Sequence, residues 1–183
     1  MTIEAGLVAS RFVHYAALTF LFGLSLFPTY AFATAAPAAA FRKQSRAALI
    51  VIALLGVASG LSWAAFTAAA MQDDIAGATD LATWSAMIAE TTFGVVWLAR
   101  LTLLVVLTFI LVSRPAFGLV ECLLAAAVLA TIALTGHTQM QEGSARLIAV
   151  LSDALHVLAA GTWLGWDKTD PSWDSESYLH RLS

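Results

Sequence analysis

The chain has 183 residues, of which 60% are hydrophobic and 11% charged, and its mean hydropathy is +0.83. A soluble domain carries about 25% charged residues, so this composition excludes a water-soluble globule, and a formal net charge of −3 leaves no basic patch for nucleic acid. Cys122 is the single cysteine, which excludes an intramolecular disulfide. The apolar residues come in blocks of membrane-spanning length, about 20 residues. Because lipid offers no water to unpaired backbone groups, each block is predicted to be a helix. The expected fold class is all-α, a polytopic transmembrane helical bundle of about five spans in the lipid bilayer.

In chain order, "MTIEAGLVAS" lacks the basic n-region of a secretory signal, and the apolar run after it is too long for a cleaved one. The first span, about 7–33, contains Arg11, His14 and Pro28. "PAAAFRKQSR" follows, with Arg42, Lys43, Arg46 and no acid. The second span, 47–70, is uncharged. "MQDDIAGATDLATWSAMIAE" carries Asp73, Asp74, Asp80 and Glu90 without a basic residue; within it Leu81, Trp84 and Ile88 share a face, which predicts a short interfacial helix. The third span, 91–112, holds Arg100, and Arg114 follows it in "SRP". The fourth, 116–136, holds Glu121 and Cys122. After "GHTQMQEGSA" the fifth, 145–166, holds Arg146, Asp153 and His156. Basic loops face the cytoplasm, so the N-terminus and the acidic loop are expected outside, in the periplasm. Residues 1–166 form the membrane domain. The tail, 167–183, has four acids, four serines and a proline, and reads as a disordered cytoplasmic segment in which His180 is simply solvated.

Ionisable side chains in lipid are costly, so each is a functional candidate. At about 1.5 Å per residue, His14 lies about 10 Å below the outer end of its helix, Arg100 and Asp153 about 12–13 Å, and His156 about 16 Å. His137 sits at the outer rim. These five residues, on four helices, predict a polar cavity open to the outside. His14, His156, His137 and Met140 are the candidate metal ligands. Arg11 shares a helix face with His14, and Asp153 with His156. Asp153 is positioned to orient the His156 ring, as supporting carboxylates do for metal-bound histidines. The bland reading of that pair is a structural tie between helices, and an arginine such as Arg100 is more often a structural partner for a carboxylate or a carbonyl. Met71 and Met87 are soft donors as well, although most methionines in apolar chains only pack.

"RFVHYAALTFLFG" aligns with "DALHVLAAGTWLG", matching His14 to His156, Ala17 to Ala159 and Gly23 to Gly165. This faint parallel repeat suggests a site at the interface of two halves. Ser152, Asp153 and His156 lie within five residues of one helix and cannot converge as a hydrolase triad. A phosphate loop, CxxC and CxxCH are all missing from the sequence, so an enzyme is not expected.

Four stretches, "RFVHYAALTFLFG", "TTFGVVWLARLTLL", "TGHTQ" and "LSDALHVLAAGTWLG", together resemble the CopD/PcoD family of bacterial copper resistance proteins, from about Ser10 to Gly165. The resemblance implies an eight-helix inner (plasma) membrane protein of copper homeostasis. It implies a copper ion, Cu(I) or Cu(II), moved across the membrane and received from a small periplasmic copper-binding partner of the CopC type. His14, His137 and His156 match motif histidines of the family, with Asp153 and Trp163 at flanking positions. Family members continue after "WLG" with three more hydrophobic helices, whereas a polar tail follows here, so a truncated or frameshifted form is expected, one that works alone, pairs with a second copy as a homo-oligomer, or is inactive. Two other readings stand beside it: a b-type haem electron-transfer protein, with histidines of facing helices as axial ligands, and an assembly partner that binds no metal.

Overall fold

The computed structural model describes residues 2–31, 39–114, 118–135 and 143–166. Among these residues there are helices and no strand: α1 (Ile3–Ala31), α2 (Ala39–Gln72), α3 (Leu81–Glu90), α4 (Thr92–Ser113), α5 (Leu119–Ala130) and α6 (Gly143–Trp166), with 3₁₀ turns at Ile75–Thr79 and Thr131–Thr135. Four of them, α1, α2, α4 and α6, are long and apolar enough to cross a membrane. The protein is a transmembrane helical bundle.

Two of the expected spans take a different form. The second begins at Ala39 rather than 47, so Arg42, Lys43 and Arg46 stand on the first turns of α2 and not in a loop. At 34 residues, α2 is about 51 Å long, far more than the ~30 Å hydrocarbon layer, and its basic turns therefore project from the apolar zone. The fourth expected span is α5, whose 12 residues run straight into the five 3₁₀ residues Thr131–Thr135. The tighter helix rises faster per residue, and the combined unit reaches roughly 28 Å. It starts at Gly118, whose backbone N–H donates to the Glu121 carboxylate 2.9 Å away, so this buried acid serves its own helix end.

α1 packs along α2, α2 along α4, α5 fills the angle between α1 and α4, and α6 lies on α1 and α5. Leu18, Leu21, Leu49, Leu104, Leu107 and Val128 form the main core. Small residues bring the backbones together. A Cβ on Gly56 would stand 3.1 Å from Leu104 Cδ2, and one on Gly161 would stand 2.8 Å from Phe22 Cδ1. Arg46 joins the basic end of the bundle: its Nε donates to Leu111 O at 2.9 Å and its Nη2 to Val112 O at 2.7 Å, satisfying carbonyls that the last turn of α4 leaves unpaired.

The acidic connection folds at the opposite end of α2. Asp80 caps α3, accepting from the Thr83 backbone N–H at 3.0 Å and from its hydroxyl at 2.5 Å. Of the three residues expected to share a face, Trp84 and Ile88 pack inward and Leu81, at the first position of the helix, is 84% exposed. Met87 is fully buried with Ala64, Ala68 and Trp97, and Trp84 and Ile88 pack against them. Met87 is therefore a packing residue, and Met71 lies exposed at the end of α2.

Candidate functional site

The polar interior of the bundle is built on α1, α2 and α4. His14 is eleven residues into α1, Trp63 nine from the end of α2 and Arg100 eight into α4. At about 1.5 Å per residue they occupy one layer, roughly 12–17 Å from the end that carries the acidic connection. The side chains of all three are at least 98% buried: His14 is 2%, Trp63 2% and Arg100 1% exposed.

His14 reaches α2 where glycines let it in. Its ring packs on Gly60, where a Cβ would come within 3.0 Å of Cε1. Nδ1 lies 3.0 Å from Gly56 O and 3.2 Å from Ser59 Oγ. The Ser59 hydroxyl itself donates to Gly56 O at 3.1 Å. A carbonyl oxygen only accepts, so in the neutral ring the proton sits on Nδ1 and Nε2 carries the lone pair. That Nε2 is buried and has no hydrogen-bond partner among the described residues. This is the arrangement by which a protein presents a ring nitrogen to a metal, with a backbone carbonyl holding the other nitrogen.

Trp63 is the hub. Its ring centroid lies 5.8 Å from that of His14, 5.7 Å from that of Tyr15 and 5.1 Å from that of Phe93. Two guanidiniums sit over it, Arg11 Cζ at 5.2 Å and Arg100 Cζ at 5.5 Å, within cation–π range. Arg100 also ties α4 to the end of α5: Nε donates to Thr131 Oγ1 at 2.7 Å, and Nη2 to Thr131 O at 2.8 Å and Thr135 Oγ1 at 3.1 Å. Among the described residues its remaining nitrogen, Nη1, is buried without a partner, as is the indole nitrogen of Trp63.

The structure thus brings His14, Arg11 and Arg100 together and leaves the other predicted residues apart from them. Asp153, His156 and Trp163 are exposed on α6, and no hydrogen bond joins Asp153 to His156 among the described residues. The expected orienting role of Asp153 is therefore not realised in this conformation. Of the two described histidines, His14 is buried against α2 and His156 is exposed on α6. His137, Met140, the tail and His180 lie outside the described residues. Among the described residues, no group of three or more His, Cys, Asp and Glu forms a metal cluster.

The sequence reading missed the α2 wall. Gly56, Ser59, Gly60 and Trp63 recur at one-face helical spacing in a span passed over as uncharged. A small-residue stripe ending in a tryptophan is the signal that pointed to it, since small residues in membrane helices mark close approach.

The sequence of residues 1–147 matches the family model described as copper resistance protein D-like, N-terminal domain. The chain belongs to the copper resistance protein D-like family. A curated relative is the copper resistance protein D of Pseudomonas syringae pv. tomato, 33% identical over 162 residues, which are 86% of this chain and 52% of the relative. The chain therefore spans about half the length of the curated relative it matches. No solved structure matches it. The family match includes His14, Trp63 and Arg100 and stops before Asp153 and His156.

Proposed function

We propose that this protein serves copper resistance in the bacterial inner membrane by moving copper across it, with His14 as the buried acceptor. The family relationship supports the copper role. One geometric observation supports the residue: the buried His14 Nε2 lone pair, unpartnered and fixed in its tautomer by Gly56 O. Imidazole suits copper in either oxidation state. The donor is a base aimed into the bundle, so it fits the ion chemically, and further ligands must come from beyond the described cluster. His137 and Met140 fill that role in this reading, as entry ligands on the outer face. Copper would arrive from a periplasmic copper-binding protein of the CopC type.

The same reading places a second copy of the chain against α6. Asp153 and His156 lie one turn apart on a surface that faces lipid in the isolated chain. Two-fold packing of parallel helices sets like residues at the same height, so Asp153 and His156 of both copies would meet in one polar cluster.

The test is cellular copper measured with and without expression. His14→Gln keeps a donor toward Gly56 O but removes the ring nitrogen, and it is expected to abolish the effect of expression, whereas His180→Ala leaves it intact. Wild-type copper accumulation in a His14→Ala/His156→Ala double variant, present in the membrane at normal level, would refute the assignment. A Soret band in the purified protein would favour haem instead.

A further inference from the structure

Arg100 poses a charge problem for a copper site. The guanidinium is buried between α4 and α5, and among the described residues all of its hydrogen bonds go to threonine oxygens and none to a carboxylate. A second guanidinium, Arg11, lies on the same indole. Arg100 and His14 both lie against the Trp63 ring, with Arg100 Cζ 5.5 Å and the His14 centroid 5.8 Å from its centroid. A bare copper ion on His14 Nε2 would add positive charge to a region that is already positive and poorly solvated, where such repulsion is strong. Two hydrogen-bond donors in the same cluster, Arg100 Nη1–H and Trp63 Nε1–H, have no acceptor among the described residues, and buried donors are rarely left so. The surroundings of His14 therefore call for an anion as well as a metal.

We propose that the cluster takes copper as a neutral metal–halide unit. Copper(I) bonds to the His14 Nε2 lone pair. A chloride-class anion stays bound to the metal and accepts hydrogen bonds from Arg100 Nη1–H and Trp63 Nε1–H. The Cu–N bond forms, the copper–halide bond is kept, nothing is oxidised or reduced, and the net charge beside Arg100 does not change. The anion also supplies a ligand that the described residues do not, since they hold no three-residue metal cluster. The three atoms are sealed from solvent in this conformation. This inference rests on the reading of His14 as a copper ligand.

The test uses the full chain in lipid nanodiscs. Cu(I) is titrated against a chromophoric chelator in chloride, bromide and sulfate buffers of equal ionic strength, with the halide complexation of free copper taken into account. X-ray absorption at the copper edge is recorded in bromide. The expected result is a copper–bromide shell together with one imidazole nitrogen, and an affinity about tenfold higher in halide than in sulfate, the factor set by a hydrogen bond to a charged group. Arg100→Gln loses the halide gain. Trp63→Phe keeps the ring and its packing, removes only the N–H, and lowers the gain. Copper bound with equal affinity in all three buffers and no bromide shell would overturn the proposal while leaving the copper reading intact. No copper bound in any buffer would overturn both.

Discussion

At the scale of single residues, the site depends on contacts with little slack. Gly60 stands where a methyl group would press on His14 Cε1 at 3.0 Å and Nδ1 at 3.3 Å. Helix propensity alone makes Gly→Ala stabilising by about 1 kcal/mol, but overpacking a closed site costs about 1–3 kcal/mol. His14 cannot swing aside without losing its bond to Gly56 O. Gly60→Ala should therefore lower the melting temperature of the solubilised protein, and a rise would show that the ring yields easily. Thr131→Val is a second probe. It is nearly isosteric, yet it leaves Arg100 Nε buried without the hydroxyl 2.7 Å away. Orphaning a buried donor costs about 1–3 kcal/mol, which should appear as a shifted denaturation midpoint with copper absent.

At the scale of elements, each helix end is held by a named side chain. Arg46 fastens the last turn of α4 to α2 through two carbonyls. Arg46→Ala should speed amide exchange in the turns around Val112, and Arg46→Lys should restore protection only in part, because a single ammonium lacks the fork that reaches both oxygens. Asp80 does the same for α3. The Thr83 hydroxyl and then the Thr83 backbone N–H stabilise its carboxylate and hold its pKa below the ordinary 3.8. A depressed carboxylate contributes stability that is complete above the unfolded value and is lost as pH falls through the folded one. The attachment of α3 should thus be unchanged from pH 7 down to about 4 and loosen below that. Trp84, whose indole donates to Ala78 O at 2.9 Å, reports it by fluorescence, and Asp80→Asn should remove the acid transition.

At the scale of the molecule, the four long helices are not equally enclosed. Between 28 and 39% of the apolar stretch is buried inside the protein for α1, α2 and α4, but only 6% for α6. Membrane helices can face lipid, yet α6 carries Asp153 and His156 on that open surface, and an aspartate at the middle of a span costs about 2.5–3.5 kcal/mol. Matching His14 with His156, as the faint repeat does, makes this the counterpart of the α1 face that α2 covers with Gly56, Ser59 and Gly60. A second copy seated there would complete the pattern. Nitroxide labels placed separately at Ala160, exposed on the Asp153 face of α6, and at Phe109 on α4, 70% exposed, separate the cases. In native membranes the Ala160 label should be shielded from dissolved oxygen and the Phe109 label open to it. Equal oxygen collision rates would mean that α6 faces lipid and has no such partner.

The helical membrane architecture was legible in the amino-acid sequence because lipid makes the rule simple. A run of about 20 apolar residues must close its own hydrogen bonds, and "RFVHYAALTFLFG" or "TTFGVVWLARLTLL" can do so only as helix. His14 and Arg100 stood out for the same reason, being costly where they are. The motifs also carried the family, through residues the tertiary structure did not need to display. What the linear pattern could not decide was which polar residues meet. Trp63 and the glycines of α2 carry no charge to betray them, and their role exists only once α1 and α4 close around them. Nor could helical depth distinguish His14 from His156. Both lie within a span, but burial is a property of neighbours: α2 encloses the first, and among the described residues nothing encloses the second.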